Sequence, residues 1–491
     1  KRKVPVAILA QAHDSLFFSI HAARDLSPAY SDTEHNMAAE PSLKAKCVAE
    51  FVGTFLLVFT VESNLATGSP LFTGLSIGTV LFVMIQAFGN ISGGNFNPAV
   101  SVALGCTKTL GGPGMEWAQV MLYCAVQTVA GIIAALIATI LYSKSFPVAT
   151  TPGYSVLSAG VCEYFYTFML TFVVLNVAAA KKNAQEKGQY YGLAIGFTVV
   201  AGAYGAGFIS GGCFNPAVAI ALDITSLDKG FGLSIVYTLF ELLAAMVSAF
   251  IFSKVRPEDF DKTLSTGKVT EQLLSEFLGT FMLVFTVACN IFALSSIAAL
   301  SIAASLASMI YALGDVSGGH FNPAVSLAVY MSGRDTLFTE RKTLLYVLTQ
   351  TLAGLLAAVI AVSTFAAHAG FGPKAPYNLV QALLAETVFT FVLCFVVLAV
   401  AVSAVTKSTH FFGLAIGFCV VVGGFAIGSV SGGALNPAVA IGLAASGGGL
   451  QYALAYTLLE CFAAALAAWT FKVTHDADLD SPEAKSIAQS A

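Results

Sequence analysis

The chain has 491 residues, of which 57% are hydrophobic and only 10% are charged, and its formal net charge is −4. Because soluble globular proteins carry roughly 25% charged residues, this composition argues against a soluble enzyme with one core. The weakly negative charge gives no basic surface for nucleic acid. Apolar runs long enough to cross a bilayer recur from about residue 47 to 471, which predicts an all-α membrane protein with many spans.

Residues 1–46 precede the first apolar run and are expected to form an N-terminal cytoplasmic segment. Met37 is the expected true start, with residues 1–36 upstream of it. The nine cysteines lie mostly inside apolar runs and lack the spacing of metal ligands. The sequence therefore predicts no disulfide framework, no metal site and no cofactor.

Residues 47–253 form a first repeat made of two similar halves. Each half has an apolar run with one glutamate, then a Ser-Gly-Gly turn and an Asn-Pro-Ala-Val motif, then a helix-length apolar run. The motif residues are Asn97, Pro98 and Ala99 in the first half, and Asn215, Pro216 and Ala217 in the second. Each half contains three apolar spans, and since three is odd, the two halves must enter the membrane from opposite sides.

A linker at residues 254–270 precedes a second repeat at residues 271–472 and a cytoplasmic tail at residues 473–491. In the second repeat the motif residues are Asn322, Pro323 and Ala324, and then Asn436, Pro437 and Ala438. Asn322 follows Asn97 by 225 residues, and Asn436 follows Asn215 by 221 residues. The chain is thus predicted to hold two six-span units in tandem, each with two half-helices, for twelve spans in total.

The distribution of lysine and arginine predicts which side of the membrane the termini occupy. With the N-terminus inside, only Lys144, Lys229 and Lys374 of the basic residues between the first and last spans fall on the outer side. Since cytoplasmic loops carry the excess of basic residues, both termini are expected to be cytoplasmic.

A short apolar segment that begins with Asn-Pro has a specific physical meaning inside a membrane. Asparagine is a favoured N-cap, and proline fits the first helical position without losing a needed hydrogen bond. Two such half-helices from opposite sides would meet near the bilayer midplane, with the positive ends of their dipoles directed at one point. This arrangement would repel cations, including hydronium, and would let neutral hydrogen-bonding molecules pass.

These motifs resemble those of the aquaporin (major intrinsic protein) family, whose hallmark is a paired Asn-Pro-Ala on inverted half-helices. The resemblance covers residues 47–471 and includes the Glu-x-x-Gly-Thr-Phe sequences that start at Glu50 and Glu276. It implies two complete channel units fused in one chain, each with its own pore for water and small neutral solutes. Because family members usually form tetramers, it also implies a dimer of chains with four pores, in a plasma or vacuolar membrane that the sequence does not distinguish.

The second constriction of the family, the selectivity filter, departs from the family pattern here. Val218 and Val439 stand where the family has an arginine after the second motif. The resemblance assigns the other filter positions to Ile77, Ala203 and Gly212 in the first unit and to Ile302, Gly424 and Gly433 in the second. A wide, apolar, uncharged filter favours solutes of glycerol or urea size alongside water. The alternative is that both pores conduct mainly water.

Six glutamates inside the apolar runs require an explanation, because a charge at membrane depth is costly. Four of them match family glutamates that accept hydrogen bonds from the half-helix loops, namely Glu50, Glu163, Glu276 and Glu386. Glu241 and Glu460 stand where the sister halves have Gln127 and Gln350, so a similar structural hydrogen bond is expected. A proton relay for the first four and a pH gate at the last two are the alternatives.

Two other classes of function remain open from the sequence. Inverted repeats also build secondary transporters, although these usually need ion-binding carboxylates near the midplane, where this chain has neutral asparagines. A non-conducting structural protein could use the same fold, although four intact polar motifs argue against it. No pairing of a nucleophile with a base is present, so the sequence does not predict an enzyme.

Overall fold

The computed structural model describes residues 40–186, 190–260, 268–368, 370–408 and 410–476. The expected start at Met37, the middle of the linker and the tail from residue 477 lie outside these ranges, and the expectations for them stay predictions. Within the described ranges all regular secondary structure is helical, as the composition predicts.

The first repeat contains six long helices and two half-length helices between them. The long helices are α1 (Leu43–Thr67), α2 (Thr73–Ser92), α4 (Trp117–Tyr142), α5 (Val156–Val174), α7 (Tyr191–Gly205) and α10 (Ser234–Val255), and the half-length ones are α3 (Pro98–Thr109) and α9 (Pro216–Thr225). A π turn at Leu175–Ala179 extends α5, and two short helices, α6 (Lys181–Glu186) and α8 (Gly207–Ser210), lie in the connections.

The second repeat has the same order of helices. The long helices are α11 (Lys268–Phe292), α12 (Ala298–Ser317), α14 (Glu340–Phe365), α15 (Leu379–Val397), α16 (Phe412–Ile427) and α18 (Leu450–Thr474), and the half-length ones are α13 (Pro323–Ser332) and α17 (Pro437–Gly447). A π turn at Leu398–Val402 extends α15 at the position where the first repeat also has one.

Nine helices of the described ranges are long and apolar enough to span a bilayer. The other three long helices are α1, α7 and α16. The counterpart of α1 in the second repeat, α11, is among the nine, whereas α7 and α16 are the fifth long helices of their repeats. These fifth helices have 15 and 16 residues, or about 22 to 24 Å at 1.5 Å per residue. The predicted fold class, an all-α multi-pass membrane protein with two tandem units of six helices and two half-helices, is confirmed.

The two repeats pack against each other along a buried surface. Helices α5 and α7 of the first repeat contact α11 and α12 of the second. Ser301 Oγ and Ser308 Oγ, both on α12, donate hydrogen bonds of 2.8 Å to the carbonyl oxygens of Ala201 and Ala194 on α7. Such bonds between small polar residues and a neighbouring backbone let helices approach closely in a membrane.

Candidate functional site

The four half-helices begin in the same way. Asn97 lies in extended backbone before α3, and its side-chain oxygen accepts a hydrogen bond from the backbone N–H of Ala99. A proline occupies the first turn of every half-helix, and Asn215, Asn322 and Asn436 cap theirs in the same manner. The free N–H groups of each half-helix are therefore directed towards its partner.

In each repeat the two asparagines hold the tips of the half-helices together. Asn97 Nδ2 donates to the carbonyl oxygen of Phe214 at 2.8 Å, and Asn215 Nδ2 donates to the carbonyl oxygen of Phe96 at 3.0 Å. A side-chain amide has two N–H donors. One hydrogen of each amide thus fixes the tips, and the other remains for a molecule in the cavity that both asparagines line.

The second repeat has the same cross-bonding. Asn322 Nδ2 donates to the carbonyl oxygen of Leu435 at 2.8 Å, and Asn436 Nδ2 donates to that of Phe321 at 2.9 Å. Both asparagines again line a cavity.

Buried glutamates position the loops that precede the half-helices. Glu50 on α1 accepts hydrogen bonds from the backbone N–H groups of Asn95 and Phe96, from Ser92 Oγ and from Gln127 Nε2, at 2.6 to 3.0 Å. Since Phe96 adopts a positive φ of 48°, uncommon for a residue with a side chain, these bonds stabilise a backbone that would otherwise be unfavourable.

The other glutamates make equivalent contacts. Glu276 accepts from His320 N–H and Phe321 N–H, and Glu386 accepts from Ala434 N–H and Leu435 N–H. Each of these carboxylates holds the loop on which its half-helix begins.

In the second half of each repeat, two glutamates together accept the hydrogen bonds of the half-helix loop. Glu163 accepts hydrogen bonds from Cys213 N–H and Phe214 N–H, and Glu241 accepts one from Asn215 N–H at 2.7 Å. Glu460 accepts from Asn436 N–H at 3.0 Å in the same way. Glu241 and Glu460 thus contact the backbone of the motif asparagine itself, which Gln127 and Gln350 do not.

A cavity of about 30 Å³ lies between the helices of the first repeat, and we refer to it as pore one. Three of the four residues assigned to its filter line it, namely Ile77, Gly212 and Val218. Ala203 is not among its lining residues. It packs towards α2, where a Cβ atom added to Gly74 would lie 2.9 Å from the Ala203 Cβ.

A larger cavity of about 350 Å³ lies in the second repeat, and we refer to it as pore two. All four residues assigned to its filter line it, and these are Ile302, Gly424, Gly433 and Val439. The lining continues beyond the filter to Leu294, Lys374 and Phe425. These residues lie at the end of the bundle that the chain reaches after an odd number of spans, and we call this end the distal face.

Lys374 was not predicted as a pore residue. The sequence places it in the connection between α14 and α15 but gives no indication that this connection lies over the pore. An alignment of the two repeats on Glu163 and Glu386 places Thr151 opposite Lys374. In the structure Thr151 N–H donates to Ile209 O just as Lys374 N–H donates to Val430 O. Aligning the two repeats at this position reveals one additional charge.

His320 lines pore two next to the motif. Its Nδ1 lies 3.1 Å from Ser326 Oγ, and its ring packs edge-on against Phe338 and Tyr346. In the first repeat Asn95 contacts Ser101 in the same manner, which indicates that both side chains order the loop. Over the ranges that the structure describes, no group of three or more His, Cys, Asp or Glu side chains is placed to hold a metal ion.

The sequence is similar to those of several plant proteins. It is 32% identical over 228 residues to putative aquaporin NIP4-1 of Arabidopsis thaliana, which covers 44% of this chain and 76% of that protein. It is 33% identical to aquaporin NIP2-1 of Oryza sativa subsp. japonica, over 47% of this chain and 76% of that protein. Nodulin-26 of Glycine max is 30% identical, over 44% of this chain and 79% of that protein.

The chain is also similar to a solved structure, and it matches a protein-family model. The X-ray structure of the aquaglyceroporin from Plasmodium falciparum matches at 20% identity and a TM-score of 0.38, covering 44% of this chain and 96% of that one. The major intrinsic protein profile matches twice, at residues 37–252 and 263–471. The chain therefore belongs to the major intrinsic protein family of passive membrane channels, carries two family units in tandem, and is not an enzyme.

Proposed function

We propose that each repeat forms its own pore and that the two pores between them conduct water and uncharged solutes of glycerol or urea size while excluding ions. The chain is an integral multi-pass channel protein for water and small solutes; the number of pores and their selectivity are the proposal. The observation that carries it is the pairing, in each repeat, of two capped half-helices whose asparagines both line a cavity.

Ion exclusion follows from the electrostatics of the half-helices. Each N-terminus carries about half a positive charge, and two of them face one point in each pore. The second side-chain N–H of each asparagine donates a hydrogen bond to the oxygen of a passing water or alcohol. An ammonium ion or hydronium cannot accept such a hydrogen bond. Both the dipoles and the donors therefore act against cations at the narrow centre.

The filter residues support solutes larger than water. Val218 and Val439 are both almost fully buried at the positions where the family has arginine, and Ala219 and Ala440 follow them. The filter thus lacks a donor that would occupy the lumen. A channel that conducts mainly water is the second candidate, and the small volume of pore one favours it for the first repeat.

We also propose a dimer of chains with four pores, embedded in the lipid bilayer. Within one chain, α5 and α7 of the first repeat bury α11 and α12 of the second. The corresponding helices lie on the outer sides of the chain, and they are α1 and α2 in the first repeat and α15 and α16 in the second. They keep apolar side chains exposed, including Val83, Val388 and Val422. A second copy would cover both outer sides with the contacts that already exist inside the chain.

We also propose the bounds of the two channel units and the side of the membrane on which the termini lie. The two channel units extend over residues 47–253 and 271–472, the linker over 254–270, and both termini lie in the cytoplasm. The first span begins at Leu43 and the last ends at Thr474, and an even number of spans would return the chain to the side from which it started, where we expect the basic residues to concentrate.

Uptake measurements on the purified chain in liposomes test the function. We expect fast osmotic shrinkage with a low activation energy, uptake of glycerol and urea, and no dependence on an ion gradient. Solute uptake that requires an ion gradient would show a secondary transporter instead. Correctly folded protein that conducts neither water nor solute would show a structural role.

A further inference from the structure

The two pores differ far more in size than in the residues of their filters. A cavity needs roughly 10 to 15 Å³ to hold one water molecule, so pore one, at about 30 Å³, has room for about two waters. Pore two, at about 350 Å³, has room for a larger solute with its water. The lining of pore one ends at Val61, Ile77 and Gly212, whereas that of pore two continues to the distal face.

One pair of corresponding residues accounts for a difference at the distal mouths. Tyr204 on α7 donates through its hydroxyl to the carbonyl oxygen of Leu71 at 2.9 Å and accepts from Leu75 N–H at 3.0 Å. These bonds hold the connection before α2 against α7, and Tyr204 is only 8% exposed. Its counterpart Phe425 has no hydroxyl, is 58% exposed and lines pore two.

The connection in the second repeat reflects this difference. The connection before α12 is the counterpart of the connection before α2 that Tyr204 holds in place. It includes Leu294, Ser295 and Ser296, and all three line pore two. No residue of the corresponding connection lines pore one.

We propose that the two pores divide the transport between them, so that pore two conducts solutes of glycerol and urea size and pore one conducts water. This rests on the proposed channel function and assigns its two substrates to separate parts of the chain. The tyrosine bonds on the distal side keep the mouth of pore one narrow, and their absence leaves that of pore two wide.

Matched substitutions in the two filters test the division. Val218→Phe fills pore one and Val439→Phe fills pore two, at corresponding positions. In liposomes we expect V439F to lower glycerol and urea uptake at least tenfold while water flux persists, and V218F to leave solute uptake within twofold. Loss of solute uptake in V218F, or its survival in V439F, would overturn the division.

A second pair of variants keeps the test independent of crowding in the filter. Tyr204→Phe removes both mouth bonds and, in the V439F background, is expected to restore part of the glycerol uptake through pore one. Phe425→Tyr is expected to lower uptake through pore two. Unchanged uptake in both would contradict the role of the tyrosine. If the unmodified chain conducts water but neither solute, the proposed solute function fails, whatever the filter variants show.

A separate observation concerns the charge at the mouth of pore two. The Lys374 side chain lines this pore, and its Cε lies 4.0 Å from where a Cβ atom on Gly432 would be, on the loop that enters the filter. A 2.9 Å hydrogen bond from Lys374 N–H to Val430 O fixes the backbone there. Within the part of the chain that the structure describes, no carboxylate forms an ion pair with it.

The two distal lysines of the first repeat are placed differently. Lys144 Nζ donates to the carbonyl oxygen of Ala66 at 2.9 Å, and Lys229 Nζ donates to that of Ser145 at 2.5 Å. Neither lines pore one. Among the residues that the structure describes, Lys374 is therefore the one lysine or arginine that lines either cavity.

We infer that Lys374 sets the charge selectivity at the entrance of pore two, in a filter that has no arginine. Its field acts over about a Debye length, roughly 8 Å at physiological salt, which includes the Gly432 loop that enters the filter. Cations are therefore turned away at the mouth, before they can obstruct neutral solutes.

Competition between urea and guanidinium, its cationic analogue of similar size and shape, tests this inference. With guanidinium on both sides of the liposome membrane, we expect weak inhibition of urea uptake in the unmodified chain and at least fivefold stronger inhibition in Lys374→Glu. The difference should shrink as sodium chloride rises towards 1 M. Lys144→Glu and Lys229→Glu serve as matched controls and should behave like the unmodified chain.

Equal inhibition in the unmodified chain and K374E, or an equal change in K144E, would overturn the role of Lys374. If the unmodified chain takes up no urea, the same competition is measured on water flux. Failure of the proposed solute function then remains distinct from failure of this inference.

Discussion

At the scale of single residues, the carboxylates inside the membrane act as acceptors for backbone N–H groups that have no other partner. Glu241 bonds the N–H of Asn215, and Glu50 bonds two N–H groups at once. A buried backbone donor that loses its acceptor costs about 1 to 3 kcal/mol. The glutamates are therefore needed for the geometry of the motifs, and this role does not require them to titrate.

Replacing Glu241 and Glu460 together by glutamine is expected to leave water and solute flux nearly unchanged from pH 5 to 8. The glutamine side-chain oxygen can still accept from the N–H groups of Asn215 and Asn436, and it has no charge to lose. Osmotic shrinkage of liposomes measured across this pH range tests the expectation. A pH dependence present in the unmodified chain and absent in the glutamine variant would instead show a titrating gate.

Glu50→Ala is expected to destabilise the chain by about 2 to 5 kcal/mol, because two backbone donors and the Gln127 amide lose their acceptor. Glu50→Gln, which keeps one acceptor oxygen, should lose less. Thermal unfolding of the purified protein in detergent measures both. An Ala variant as stable as the Gln variant would contradict the structural role.

The repeat pattern gives the motif asparagines, the glutamates and the filter positions as candidates, because these residues stand at similar distances from a motif that occurs four times, and their roles stay predictions. Residues in the distal connections were not predicted in the same way. The reach of Tyr204 to Leu71, and that of Lys374 to the mouth of pore two, depend on how a connection folds over its bundle. Ala203 packs against α2 at Gly74 and does not line pore one, so its filter role stays a prediction.

At the scale of elements, each half-helix loop packs into a gap on a long helix that only glycine leaves open. A Cβ atom on Gly53 of α1 would collide with the ring of Phe96, which is fully buried. Gly279 on α11 stands in the same relation to Phe321. These contacts fix the height at which the half-helix begins, and therefore the position of its tip.

Gly53→Ala is expected to displace the Phe96 loop and to lower both the stability of the chain and the water flux through pore one. Gly207→Ala is the matched control, because a Cβ atom there would meet nothing within 4 Å. Thermal unfolding and osmotic shrinkage measure the two effects. Equal behaviour of the two variants would show that the loop can move without cost.

At the scale of the whole molecule, an ion pair between a buried arginine and a partly exposed aspartate joins the end of the first repeat to the second. Arg256, which follows α10 and is 2% exposed, donates to both carboxylate oxygens of Asp315 on α12 at 2.9 and 2.6 Å. It also donates to Asn176 Oδ1 and to the carbonyl oxygen of Ala312. Four of the five N–H groups of the guanidinium therefore donate hydrogen bonds, and three of these bonds cross the boundary between the repeats.

Asp315→Ala is expected to destabilise the packing of the repeats by about 3 kcal/mol, because it leaves the buried charge of Arg256 without its counterion. Lys182, whose amine also lies 3.9 Å from Asp315, is exposed, so Lys182→Ala should cost less than about 1 kcal/mol. Limited proteolysis in the linker and thermal unfolding compare the two. Equal stability of both variants would show that the ion pair contributes nothing.

The near-constant spacing of the repeats made the tandem architecture predictable from the sequence, but not the unequal sizes of the two cavities. Corresponding filter residues are nearly identical, and we attribute the difference to the tyrosine bonds and to connections that the motif does not constrain.

The linker between the two repeats has one more consequence for a cell that makes this protein. Because one polypeptide carries both family units, translation produces them in equal numbers, and no change in expression can alter their proportion. Under the proposed division of transport, membrane permeability to water and to solutes therefore rises and falls together with the amount of this chain. Separating the two would require a modification or a ligand that acts on one repeat alone.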